Sequence, residues 1–165
     1  MFVVLVLLTI TFSTVRGQSN DDQLAKIEKS LKEELDKELP DWKCRIVAPI
    51  QGSSHVIIYH CELRDILVKI AITEYQNAQR AEALFKETRD EQKRQGQIAG
   101  KNLVKEDLSN LGDEGYVWDI IGSEAVIFRK GKFLASISVP RPNENKDVFF
   151  SRMFAPHVAK VLDDQ

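Results

Sequence analysis

The sequence predicts an α+β, two-layer domain: an antiparallel sheet of about six strands, laid out as two three-strand meanders, with three helices mainly on one face. Three observations lead there. Residues 111–140 hold three apolar runs separated by Gly122-Ser123 and Lys130-Gly131, the spacing of a meander with two-residue turns. Residues 43–73 hold three more β-rich runs. Stretches around Leu24, Ala78 and Phe150 repeat apolar residues at helical spacing.

The chain of 165 residues, 43% hydrophobic, suits one domain, read as residues 18–165. Before it, residues 2–12 form an uncharged apolar run of signal-peptide length, and Val15-Arg16-Gly17 suits cleavage after Gly17. Residues 1–17 are therefore read as a leader, and the protein as exported to a periplasmic or extracellular space. No basic residue precedes the run, so an uncleaved N-terminal anchor is the alternative. Cleavage removes one of the 23 basic residues, Arg16, and none of the 25 acidic ones, leaving a net charge of −3. That balance gives no electrostatic footprint for nucleic acid, nor for a membrane once the leader is gone.

Leu24, Ile27, Leu31 and Leu35 make the buried stripe of a first helix that opens at Asn20 and stops at Pro40. Glu28 with Lys32 and Glu33 with Lys37 are its expected exposed pairs. Residues 43–50 and 55–63 flank a turn centred on Gly52-Ser53, so paired residue numbers sum to 105 and Cys44 faces Cys61. Counted from the turn, that pair falls at a non-hydrogen-bonded site, where a cross-strand disulfide fits. Pro49 has no N–H for the ladder, so either the loop opens to about six residues or this is an edge strand. Ile66, Val68, Ile70 and Ile72 alternate along a third strand.

A second helix is capped by Asn77, buries Ala78, Ala81, Leu84, Phe85 and Thr88, sends its polar distal half into water and ends at Gly96. The connection from Gly96 to Gly115 is long for a loop, so it either contains a short helical turn, the expected reading, or has a role of its own. In the second meander, two-residue turns set Trp118 opposite Ile127, Val117 opposite Phe128, Phe128 opposite Phe133 and Ile127 opposite Leu134. Parity puts Val117, Val126, Phe128, Phe133, Ala135, Ile137 and Val139 on the helix side. Pro140 and Pro142 end that strand and residues 143–147 form a polar turn. The last helix is expected to become regular near Ala155, with Pro156 in its first turn.

Chemistry is sparse. His55 and His60 lie on opposite strand faces, His157 is remote and both cysteines are committed to the bridge, so no metal site is expected. Neither a nucleophile elbow nor a phosphate-cradling glycine loop is present. Asp113-Glu114 is the one paired carboxylate, but adjacent residues entering a strand point apart, and no catalytic residues are assigned. Neither is a cofactor.

Gly112-Asp113-Glu114-Gly115-Tyr116-Val117-Trp118, followed by Phe128-Arg129-Lys130-Gly131, resembles a pattern in small exported bacterial proteins of unknown function. The resemblance covers about a quarter of the chain. It implies an exported α+β domain and carries over no functional residues.

One site is nameable. The other side of the second meander places Tyr116, Trp118, Ile120, Ile127 and Leu134 beside Arg129, with Ser136 and Ser138 further along. Left open, this aromatic patch with a cation suits a protein partner or a small apolar or planar ligand. Covered by the Gly96–Gly115 connection or a terminal segment, it is packing, with Arg129 stacked on Tyr116. The expected function is a noncatalytic exported binding or interaction domain. A structural or assembly component, or an enzyme with an unrecognised site, are the alternatives. The oligomeric state is not legible.

Overall fold

A computed structural model describes residues 20–47, 55–120, 123–140 and 150–165. The leader, the Gly52-Ser53 turn with Pro49, Gly122 and the polar turn at residues 143–147 lie outside the described residues. In chain order the elements are α1 (Asn20–Glu38), β1 (Lys43–Ile46), β2 (Val56–Leu63), β3 (Ile66–Glu74), α2 (Ala78–Ile98), β4 (Val104–Leu108), β5 (Glu114–Ile120), β6 (Ser123–Lys130), β7 (Phe133–Pro140) and α3 (Phe150–Asp163). The seven strands form one antiparallel sheet in the order β1-β2-β3-β7-β6-β5-β4. Two meanders thus meet where β3 lies beside β7.

Parity set the faces correctly. Val117, Val126, Phe128, Phe133, Ala135, Ile137 and Val139 are all buried in one core with Tyr59, Val68, Ile70 and Ile72 of the first meander. The stripe Leu24, Ile27, Leu31 and Leu35 of α1 and Phe154, Val158 and Leu162 of α3 close that core from one side. Trp42 enters it edge-on to the rings of Phe150 and Phe154, at centroid distances of 5.4 and 4.9 Å. The buried Tyr59 hydroxyl donates to the Glu28 carbonyl at 2.7 Å, so α1 is tied to the sheet by a hydrogen bond as well as by apolar area.

Register within the second meander differs from expectation by two residues at both turns. Val117 pairs with Val126 and Trp118 with Ala125, rather than with Phe128 and Ile127. Phe128 pairs with Ala135 and Ile127 with Ser136, rather than with Phe133 and Leu134. The second slip has a local cause. Gly131 has φ +54°, and a primed hairpin turn needs that left-handed conformation at its first central position, so the loop is Gly131-Lys132 and Lys130 closes it opposite Phe133. A slip of two preserves every face.

Four other expectations change. The connection after α2 contains a seventh strand, β4, whose alternation is broken by a bulge between Val104 and Glu106. Gly96 does not end α2. It is buried inside the helix, where a Cβ would come within 2.6 Å of the Lys101 carbonyl oxygen, and the left-handed residue after the helix is Gly100. Helix α3 starts at Phe150 and contains Pro156, because docking of Phe150, Phe154 and the buried Ser151 outweighs the roughly 3 kcal/mol penalty of an interior proline. On α1 the i,i+4 ion pairs are Lys29 with Glu33 and Lys32 with Asp36, and Lys37 pairs with Glu38.

The helices also divide between faces. Helices α1 and α3 share one, whereas α2 lies on the opposite face, where Phe85 packs with Val104, Tyr116, Ala125 and Ile127. Helix α2 is begun as expected by Asn77, whose side chain accepts from the Arg80 N–H at 2.8 Å.

Stability measurements report on this arrangement at two places. Cys44 and Cys61 are disulfide-bonded and paired in register across β1 and β2. Reducing the bond should lower unfolding free energy by about 3 kcal/mol in urea titrations, the chain-entropy value for a loop of this size. Between α1 and α3, Glu34 Oε2 accepts from Lys160 at 2.7 Å and Oε1 lies 3.1 Å from His157 Nδ1; the Lys160 hydrogen bond, then that of His157, holds the Glu34 carboxyl below its ordinary value. A depressed folded-state pKa stabilises above the unfolded value and is lost as pH falls through the folded one. Glu34→Gln should therefore flatten the acid limb of the stability profile below about pH 4.5 and leave its shape at alkaline pH unchanged.

Candidate functional site

The turn before β5 and the turn after β6 grip each other. Arg129 Nε donates to Glu114 Oε1 at 2.7 Å, and its Nη1 donates to Asp113 Oδ2 at 2.9 Å and to the Gly131 carbonyl at 3.0 Å. The Gly131 N–H donates to the same Asp113 oxygen at 2.8 Å, and the Asp113 N–H returns to the Arg129 carbonyl at 2.8 Å. Gly112, at φ +64°, lets the backbone come this close, since a Cβ there would lie 2.4 Å from the Arg129 carbonyl oxygen. Asp113 and Glu114 do not point apart, as strand geometry suggested; both turn onto one guanidinium that is only 12% exposed. Carboxylates held by the same cation do not make a proton donor and acceptor facing a substrate. The clasp joins the two halves of the Gly-Asp-Glu and Arg-Lys-Gly pattern, and it is structural.

A second polar group lies further along the same face of the sheet, under α2. Phe85, Arg89, Gln92 and Gly96 fall at i, i+4, i+7 and i+11, one stripe of the helix directed at the sheet. Phe85 meets the Tyr116 ring edge-on at 5.2 Å between centroids, and the Arg89 guanidinium sits 5.8 Å from the same ring centroid. Gly96 allows the chain to fold back against the helix, which brings β4 beside β5 with Val104 opposite Trp118 and Asp107 opposite Tyr116. Arg89 Nη2 donates to Asp107 Oδ1.

Four buried atoms in this group have no hydrogen-bond partner: Arg89 Nε, Gln92 Oε1, Tyr116 Oη and Trp118 Nε1. Tyr116 is fully buried and Gln92 is 6% exposed. Burial pushes the Tyr116 phenol up to about 12, against the opposing pull of the Arg89 charge and of the Gln92 side chain, which comes near the phenol without reaching bonding geometry. An unpaired buried polar atom costs about 1–3 kcal/mol, so four in one place is an expensive arrangement for a purely structural interior.

The residues singled out from the sequence are distributed between these groups. Tyr116 and Ile127 are sealed beneath α2, and Trp118 and Leu134 are half-buried at the margin of the same cluster. Arg129 stays on that face but is committed to the clasp, and Arg89 is the cation that stacks on Tyr116. The cover over the face is α2 itself, not the segment after it. Arg89, Gln92 and Asp107 were missed, although continuing the Phe85 stripe at helical spacing reaches Arg89 and Gln92.

Among the described residues no group of three or more His, Cys, Asp or Glu side chains could hold a metal ion, and no helix is long and apolar enough to cross a membrane. Fold and site together define an α+β domain with an open antiparallel sheet, helices on both faces and an unsatisfied polar interior between one helix and the sheet. No family model, curated protein or solved structure matches the chain.

The clasp has a measurable strength. Arg129→Met removes three hydrogen bonds and leaves Asp113 and Glu114 facing each other, so it should lower stability by about 2–3 kcal/mol in chemical denaturation. A change under about 0.5 kcal/mol, the usual range for an inconsequential surface substitution, would show that the two turns hold without it.

Proposed function

We propose that this chain is an exported, noncatalytic binding module whose small guest is received between α2 and the β4–β5 pair. The observation that carries this reading is the cluster of four unpartnered buried atoms on Arg89, Gln92, Tyr116 and Trp118. Proteins retain such unsatisfied groups where a ligand completes them, accepting lower stability in its absence. The side chains come from a helix and from β5, the strand beside the sheet's edge, so regular elements hold them for binding. Export is supported by the apolar leader run and by the Cys44–Cys61 bond, which persists best where thiols are oxidised. The noncatalytic part is supported by the commitment of Asp113 and Glu114 to Arg129.

Two near-isosteric changes test it. Tyr116→Phe and Gln92→Leu delete orphaned atoms without opening a cavity. If those atoms serve a guest, the double variant should melt at the same temperature as the parent or a few degrees higher. In ligand-observed NMR against a panel of small planar and branched acids, amides and alcohols, it should lose compounds that the parent retains. A melting temperature lowered by about ten degrees, or identical retention profiles, would defeat the reading.

A further inference from the structure

The donor balance of the same cluster narrows the guest, an inference that rests on the binding function proposed for it. We infer that the guest is a small planar carboxylate, seated on the Nε–Nη2 edge of Arg89 with the Trp118 indole N–H and the Tyr116 hydroxyl as further donors.

Hydrogen count is the first reason. Of the four unpartnered atoms, Arg89 Nε and Trp118 Nε1 can only donate, Tyr116 Oη can do either, and Gln92 Oε1 alone can only accept. A guest that satisfies the three atoms able to donate must be rich in lone pairs at one end, and it supplies no donor to Gln92 Oε1. The guanidinium beside them adds a fixed positive charge, which favours an anion over a neutral acceptor.

The second reason is the state of the arginine fork. A carboxylate binds a guanidinium best through two parallel N–H donors on one edge. On Arg89, Nη2 already donates to Asp107 while Nε is buried and unused, so half of that edge is taken. The side chain of Asp107 is 67% exposed, against 26% for Arg89. An ion pair in which one partner is largely hydrated is weakly held. Asp107 therefore occupies the fork in the absence of guest and gives way to a carboxylate that can use both donors.

The third reason is the wall. Phe85, the Tyr116 ring and Val104 belong to one apolar cluster with Trp118 at its margin, so the polar atoms are carried by residues packed among apolar and aromatic side chains. A flat apolar body behind the carboxylate fits such a lining.

The full-length protein should be titrated with benzoate and with benzamide, its neutral isostere, monitored by tryptophan fluorescence. Because Trp118→Phe leaves Trp42 of the other core as the remaining tryptophan, calorimetric titration reads the affinity of that variant. Benzoate should bind at least about tenfold more tightly than benzamide. Trp118→Phe and Tyr116→Phe, which each delete one donor and keep an aromatic ring, should each weaken benzoate by about fivefold to tenfold, the worth of one hydrogen bond. Asp107→Asn should tighten benzoate severalfold, because it removes the competing carboxylate and little else; a site for neutral or cationic guests would not respond that way. If benzamide binds as well as benzoate and Asp107→Asn is without effect, the carboxylate assignment is wrong while the binding reading stands. If neither compound, nor any member of the NMR panel, distinguishes the parent from Tyr116→Phe, both are wrong and the cluster is completed by solvent alone.

Discussion

Burial of β6 on both faces is the constraint around which the structure is arranged. From Glu124 to Phe128 five consecutive residues are buried, and in a strand consecutive side chains point to opposite faces. Val126 and Phe128 need a cover on one side; Ala125 and Ile127 need one on the other. Helices α1 and α3 supply the first and α2 the second. With the middle of the second meander enclosed in this way, its rim is left to polar chemistry, and the Arg129 clasp and the Ser151 hydroxyl donating to Glu124 at 2.7 Å are how the rim is satisfied.

Faces were easier to read from the sequence than registers, for a physical reason. A strand's two-residue period assigns sides from apolar positions alone, and any even slip leaves the assignment intact. Register depends on which residue takes the left-handed conformation in the turn. Lys130-Gly131 and Gly131-Lys132 are both plausible pairs in composition, and only backbone geometry chooses between them. The strand β4 was hidden because its bulge destroys the alternation that identifies strands, and because Lys105, Glu106 and Asp107 make it look like a solvated loop. The disulfide was legible because two constraints, cysteine pairing and hairpin register, converged on the same residues.

The site divided along similar lines. Tyr116 and Trp118 were visible as an aromatic face, since residues at alternate positions of a strand share one side of the sheet. Arg89 and Gln92 were not, because polar residues in the second half of an amphipathic helix ordinarily face water. Phase, rather than polarity, set them apart: both continue the stripe begun by Phe85 and ended by Gly96. The orphaned atoms themselves have no sequence signature. They arise because a helix and a sheet bring four side chains to one place without enough complementary partners among them.

The bulged, charged strand β4 has a consequence for the molecule among its neighbours. An open sheet exposes a row of unpaired backbone groups at each border, and another chain can extend it there, which is the first step toward fibres. At one border β1 is only four residues long. At the other, Lys105 reaches toward Asp119 at 3.6 Å, Glu106 holds Arg152 at 2.7 Å and Asp107 is bound by Arg89. A foreign strand added to β4 would meet an irregular ladder and have to strip or accommodate these charges. The same few residues that disguised the strand in the sequence therefore guard the folded protein against unwanted polymerisation at that border.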